Sequence, residues 1–230
     1  MKQEAWLELP SFRERVIRLV YPVKCMVCDA LLREDTTLYL CDSCHKMLPR
    51  YEKGFHPIPE IPYLNGLFAA FHYEEGIDSA IHAMKFKYQP KLSKTMAFLL
   101  YEEFLKEPVF PNFDLIIPVP MHPRKKRQRG YNQSELVGRE LSRYLNIPID
   151  TDLLVKTRYT RPQSRLKREE RLHNMEDAFT IVKGHEVSGK NILLVDDVVT
   201  TGTTLNTCAK ILYEKGASWI FASVIAIAEK

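Results

Sequence analysis

The amino-acid sequence predicts an α/β fold, a mostly parallel sheet flanked by helices, behind a small N-terminal cysteine module. Apolar, strand-like runs at residues 113–119, 191–195 and 219–228 alternate with segments of helical periodicity. The chain lengths between these runs suit right-handed βαβ crossovers, which lay helices over parallel strands. The module is set apart by four cysteines in two close pairs between residues 25 and 44, ahead of every such unit.

The elements follow in order. An amphipathic stretch at 6–21 leads into the cysteines, and Pro49, Pro57, Pro59 and Pro62 with Gly54 and Gly66 then resist regular structure. Residues 49–66 therefore read as a linker between a module with an N-terminal helix at 1–48 and an α/β domain at 67–230. Residues 67–73 are β-like. Ile77, Ile81, Met84 and Lys85 recur at helical spacing, as do Leu92, Met96, Leu99 and Leu100, which gives two helices. A strand at 113–119, marked by Pro111 and Pro118, passes through a loop to a helix at 134–145 with Leu136, Val137, Leu141 and Leu145 on one face. In the second such unit 191–195 is β-rich, 196–203 is a loop and 204–215 is helical up to Gly216, and a last strand follows at 219–228. Ligands of open parallel sheets sit beyond the carboxyl ends of the strands, so the two strand-to-helix loops are where a site is expected.

Composition narrows the class. With 230 residues, 45% hydrophobic and 27% charged, the chain is ordinary for a globular protein with one substantial core. No apolar run approaches the roughly 20 residues that span a bilayer. Glu4 and Glu8 stand where a signal peptide would be basic and then apolar, so a cytoplasmic location without membrane insertion is expected. The net charge of +4 is unevenly placed. Residues 1–113 hold 14 Lys and Arg against 15 Asp and Glu, residues 114–175 hold 14 against 7, and residues 176–230 hold 5 against 7. A basic excess confined to the middle points to a polyanionic partner, either the phosphates of a small molecule or a nucleic-acid backbone.

The strand Ile192-Leu193-Leu194-Val195 runs into Asp196-Asp197-Val198-Val199-Thr200-Thr201-Gly202-Thr203-Thr204. Two consecutive carboxylates can accept hydrogen bonds from the vicinal hydroxyls of a ribose. Thr200, Thr201, Thr203 and Thr204 offer donors to a 5-phosphate, Gly202 lets the backbone approach, and the next helix presents unpaired N–H groups at its positive end. Taken singly, each residue also suits a plain strand end or helix cap. Their order is what selects a phosphopentose. The chain has no Gly-x-x-x-x-Gly-Lys-Ser/Thr and no Gly-x-Gly-x-x-Gly after a strand, so P-loop and dinucleotide readings lack a phosphate cradle.

Cys25-x₂-Cys28, twelve residues, then Cys41-x₂-Cys44 is metal-ligand spacing. Four thiolates close a tetrahedral structural zinc site with no open position for catalysis, which makes 1–48 a zinc-binding module. Two disulfides would require an oxidising compartment. His45 is surplus to the four ligands, and Cys208, on the helix after the Thr-rich loop, reads as a small buried hydrophobe.

The acidic pair followed by Thr-Thr-Gly-Thr-Thr closely resembles the phosphoribosyl-diphosphate signature of type I phosphoribosyltransferases. Pro118-Val119-Pro120-Met121-His122-Pro123, Arg129-Gly130-Tyr131-Asn132-Gln133-Ser134, and Gln163 with Arg165, Arg171, Asn174 and Phe179 look like the ComF family, the competence-associated branch of that fold. This resemblance implies a type I phosphoribosyltransferase-like domain that binds phosphoribosyl diphosphate with Mg²⁺. It also implies a role in DNA uptake, with single-stranded DNA and a helicase-like competence protein as partners. Asp196 and Asp197 would hold the ribose, and Thr200, Thr201, Gly202, Thr203 and Thr204 the 5-phosphate. In the enzymes resembled, the loop after the 113–119 strand grips pyrophosphate, which makes Arg124, Lys125, Lys126, Arg127 and Arg129 candidates. A solvated basic turn or a nucleic-acid contact, with Tyr131 stacking a base, suits the same residues. Residues 158–174, lying between strand-like 153–157 and 178–182, match the loop that closes over the active site of those enzymes. They add Arg165 and Arg171 to the pyrophosphate or nucleic-acid set, although an ordinary charged loop or short helix reads equally well. No residue selects an acceptor base: Phe71, Tyr73 and Phe86, near a hood at 67–90, suit the core as well. The chain thus reads as a ligand-binding competence protein or as an active transferase.

Overall fold

The computed structural model describes residues 10–74, 76–108, 110–158 and 178–228. Helix α1 (Phe12–Val20) starts with a capping box: Ser11 Oγ accepts from Glu14 N–H, and Glu14 Oε2 accepts from Ser11 N–H. The cysteine loop follows, and Cys41 is the N-cap of α2 (Asp42–Met47). Next come β1 (Gly66–His72), α3 (Ile77–Phe86), α4 (Leu92–Phe104), β2 (Leu115–Pro118), α5 (Pro123–Arg129) and α6 (Gln133–Leu145). The chain then forms β3 (Leu154–Lys156), β4 (Phe179–Ile181), β5 (Asn191–Val199), α7 (Thr203–Glu214) and β6 (Trp219–Ile227).

Four strands form a parallel sheet in the order β1-β6-β5-β2, with Ala69 opposite Val224, Leu194 opposite Ala222 and Ile116 opposite Leu193. Both faces are covered, which is why these strands read as nearly unbroken apolar runs. On one face α3, α4 and α6 bring Ile81, Met84, Met96, Leu100, Val137 and Leu141 against Phe68, Ile116 and Leu193. On the other, α7 contributes Leu205, Cys208, Ala209 and Leu212, and the antiparallel β3–β4 pair contributes Leu154 and Phe179. Burying each large side chain of these layers stabilises the fold by roughly 1.5–3 kcal/mol.

Residues 50–64 form no helix or strand of their own, as their prolines predict, yet they lie on the sheet. Leu67 N–H donates to His56 O at 2.8 Å and Tyr51 N–H to Ala70 O at 2.9 Å, so this segment covers the edge of β1. Tyr51, Ile61 and Leu64 are buried in the same core as α7.

Two elements differ from the sequence expectation. The basic run after β2, expected as a loop, forms α5. Pro123 stands at its first turn with φ already suited to a helix, and Arg124 N–H donates to His122 Nδ1 at 3.1 Å. Gly130, at φ +86°, ends it. Strand β5 continues to Val199, because Val198 and Val199 still pair with Ala226 and Ile227. Asp196 and Asp197 are therefore held in a ladder, with only residues 200–202 left between strand and helix.

Candidate functional site

Strands β2 and β5 are neighbours, and both strand-to-helix connections open at their carboxyl ends. A cavity of about 250 Å³ lies there, lined by the acidic pair and by residues of α3, α5, α6, β3 and α7. A larger cavity, about 580 Å³, opens between α1, the cysteine loop and α3. It does not include the acidic pair among its lining residues, and it is in the smaller one that the two carboxylates meet a set of cations.

The two carboxylates are unequal. Asp196 Oδ1 accepts from Ser134 Oγ at 2.8 Å and from Asp197 N–H at 2.8 Å. Burial, reinforced by the charge of Asp197, nevertheless pushes its carboxyl up to about 7. Asp197 instead forms an ion pair at 2.8 Å with Lys85 Nζ, and their side chains are 11% and 25% exposed. On the α7 side Cys208 is fully buried, and its thiol is pushed up by that burial and by the charge of Asp196.

Helix α5 separates its cations. Lys125 and Arg129 are four residues apart, hence on one face, and both line the cavity; burial lowers the pKa of each. The Arg129 guanidinium lies over the Phe86 ring, 5.4 Å from its centroid. Arg124, Lys126 and Arg127 are exposed, and Lys126 Nζ pairs with Glu135 at 2.7 Å. Across the cavity stands Lys156 of β3, its pKa lowered by burial and then by Lys125. Arg165 and Arg171, with Gln163 and Asn174, lie outside the described residues.

The cavity's lysines at 85 and 156 are absent from the set expected by sequence. Their signal was weak: Lys85 shares helical spacing with the core residues Ile77, Ile81 and Met84. A lysine at such a position calls for a buried partner, but the partner itself cannot be named from spacing.

In the Thr-rich loop, Thr204 faces the cavity, Thr200 and Thr201 are exposed, and Thr201 Oγ1 lies 3.0 Å from Thr203 Oγ1. Gly202 begins α7 at φ +69°, and no side chain caps that helix N-terminus. The glycine is doubly required. A Cβ there would lie 2.6 Å from Ile61 Cγ1 on top of the unfavourable backbone angle.

Tyr131, the expected stacking residue, donates its hydroxyl to Met84 O and is half-buried. Phe71 is core, whereas Phe86 and Tyr88 are 61% and 69% exposed beside α5, with Tyr88 Oη donating to Gln128 O at 3.2 Å.

The four module sulfurs lie within 4.8 Å of one another, with Cys28 Sγ 3.8 Å from Cys41 Sγ. A zinc–sulfur tetrahedron with bonds near 2.3 Å has edges of about 3.8 Å, so the donor set fits that ion. Burial opposes ionisation of Cys25, but N–H groups of Cys28, Cys41 and Val27 outweigh it and bring the thiol down to about 7. Burial and the neighbouring sulfurs push the Cys44 thiol up, and a dication bound there would displace its proton. His45 turns to Glu102 at 2.8 Å. Among the described residues no helix is long and apolar enough to cross a membrane.

Parallel strands ending in an acidic pair and a hydroxyl-rich turn are the mark of phosphoribosyltransferase-like proteins, and residues 132–230 match the phosphoribosyl transferase domain. Competence protein F of Haemophilus influenzae is 32% identical over 204 residues, spanning 84% of this chain and 87% of that protein. The chain belongs to the ComF family. Competence protein ComFC of Bacillus subtilis is 24% identical over 229 residues, covering 86% of this chain and 91% of the relative. A purine phosphoribosyltransferase from Pyrococcus horikoshii aligns with a TM-score of 0.37 and 21% identity over 57% of this chain and 71% of its own.

Proposed function

We propose that this protein binds 5-phosphoribosyl diphosphate at the carboxyl edge of its sheet and acts in natural competence, handling single-stranded DNA during transformation. The observation that carries the ligand is two carboxylates facing four cations, Lys85, Lys125, Arg129 and Lys156, around one cavity at the start of α7. Asp196 and Asp197 accept from the ribose hydroxyls. The uncapped turn at Thr200, Thr201, Gly202, Thr203 and Thr204 takes the 5-phosphate, and Lys125, Arg129 and Lys156 face the pyrophosphate. Two carboxylates make too few ligands for a dedicated Mg²⁺ cage, which suits a metal that arrives on the diphosphate oxygens and neutralises their charge. The module cysteines hold structural zinc, and free thiols of this kind suit the cytoplasm.

Turnover is the alternative use of the same cavity. The bond between C1 and the pyrophosphate oxygen would break with its electron pair leaving on pyrophosphate, stabilised by the cations, while an acceptor's lone pair bonds to C1. Single-stranded DNA is favoured by the exposed rings of Phe86 and Tyr88 beside the exposed cations of α5, a stacking platform next to a basic surface. A helicase-like competence protein is the partner that family membership suggests.

Isothermal titration of phosphoribosyl diphosphate with Mg²⁺, and separately of single-stranded DNA over a salt series, tests both parts. Asp196→Asn/Asp197→Asn should weaken the sugar phosphate on the order of 100-fold, since two charge-assisted acceptors are lost. Retained affinity would place the site elsewhere. DNA affinity should fall steeply with salt and with Phe86→Ala/Tyr88→Ala, and absence of binding at low salt would remove the DNA role.

A further inference from the structure

We propose that Lys85 is a positioning residue for the acidic pair: its ammonium fixes the Asp197 carboxylate in place and makes ionisation of both acids easier than it would be without a cation. For its effect on ligand affinity the proposal rests on the phosphopentose reading. Its effect on the carboxyls stands without that reading.

Two adjacent carboxyls withdrawn from water cannot both ionise cheaply unless a cation is close. The groups facing the pair come from every surrounding element: Lys85 from α3, Lys125 and Arg129 from α5, His122 just before it, Ser134 from α6, Lys156 from β3 and Cys208 from α7. Among the described residues, Lys85 is the cation that touches either carboxylate, at 2.8 Å from Asp197 Oδ1. Lys125, Arg129 and Lys156 line the same cavity; Arg129 and Lys156 feel Asp197 and Asp196 through space, but among the described residues none of the three forms an ion pair with the acids, which leaves their donors to an incoming anion. The cations thus divide the work between serving the acids and receiving a ligand.

The backbone that carries Lys85 is also held in place. Met84 O accepts from Tyr131 Oη and from Gln133 Nε2, the latter at 3.5 Å. On the other side of Lys85, the Phe86 ring contacts His82, with centroids 4.8 Å apart, and the Arg129 guanidinium. The far end of α3 abuts the cysteine loop, where a Cβ on Gly76 would lie 3.1 Å from Val27 Cγ1. Ile77, Ala80, Ile81 and Met84 are fully buried between these ends. A helix anchored at both ends and along its length delivers one side chain to one carboxylate with little freedom to wander.

Carboxyl ¹³C titration of ligand-free protein reads the pair directly. Lys85→Met should move its titration upward by about one pH unit or more, and Lys85→Arg should restore it. An unchanged titration in Lys85→Met would overturn the proposal. Lys85→Gln gives the same comparison if the methionine variant fails to fold. Titration with phosphoribosyl diphosphate and Mg²⁺ adds the ligand readout: Lys85→Met should lose on the order of tenfold affinity at pH 6.5 and regain part of it at pH 8.5, because the acids then ionise unaided. A loss equal at both pH values and not rescued by arginine would reduce Lys85 to a packing role and overturn its positioning of the pair. If wild type binds no phosphoribosyl diphosphate, the phosphopentose reading fails while the carboxyl titration still decides the role of Lys85.

Discussion

Asp196 carries a carboxyl raised to about 7 by burial and by its neighbour Asp197, and this sets two opposed pH dependences. The folded value lies above the ordinary one, so the group's contribution to stability is fully present below about pH 4 and is lost as pH rises through about 7. Acceptance of hydrogen bonds from a ribose has the opposite need, since the ionised carboxylate is the better acceptor. Between pH 6 and pH 8, phosphoribosyl diphosphate affinity should therefore rise severalfold while the melting temperature falls. Calorimetry at matched ionic strength reads both, and Asp196→Asn should flatten both trends. The two acids were legible in the sequence, but their inequality was not. It is produced by the burial of Asp196 beside the charge of Asp197, which the Ser134 hydroxyl from 62 positions away only partly offsets, and by Lys85 on a different helix pairing with Asp197; spacing along β5 contains none of this.

Helix α5 shows how a short element sorts a run of like charges. At about 100° per residue, Lys125 and Arg129 turn toward the cavity and Arg124, Lys126 and Arg127 turn away. Lys125→Ala/Arg129→Ala should weaken phosphoribosyl diphosphate binding by about 30-fold or more, whereas Arg124→Ala/Arg127→Ala should change it less than about threefold. Equal losses in the two double variants would mean that the helix does not direct its charges. The start signals of α5 were present in His122 and Pro123, but seven residues with no apolar stripe give no period to read. Longer elements were legible for the converse reason: α3, α4 and α6 carry apolar residues at 3.6-residue spacing, and β5 and β6 are long apolar runs. The extension of β5 was hidden by its own residues, because acids at a strand end look like a loop until the pairing of Val198 and Val199 with β6 is known.

At the scale of the whole molecule, the cysteine module is attached to the sheet layers and does not hang free of them. Tyr39 N–H donates to Thr95 Oγ1 at 3.0 Å, His45 reaches Glu102 and Arg50 reaches Glu103 at 3.0 Å, while Met26, Val27 and Leu40 pack on the α3–α4 core. On the proposed zinc reading, a strong chelator or Cys28→Ser/Cys44→Ser should lower the melting temperature by about 10 °C or more, because metal binding is part of the folding free energy of such modules. An unchanged melt would mean that the cysteines bear no load. The order β1-β6-β5-β2 could not be read from the chain, since alternation of strands and helices fixes handedness but not which distant strands become neighbours.

Ile61 presses against Gly202 from a stretch with no helix or strand of its own. The turn proposed to take the phosphate is therefore moulded from below by a distant prop that precedes the first strand. A truncated chain beginning at β1 would retain every letter of the signature while losing its mould, and a larger side chain at position 61 would be felt first at the phosphate turn.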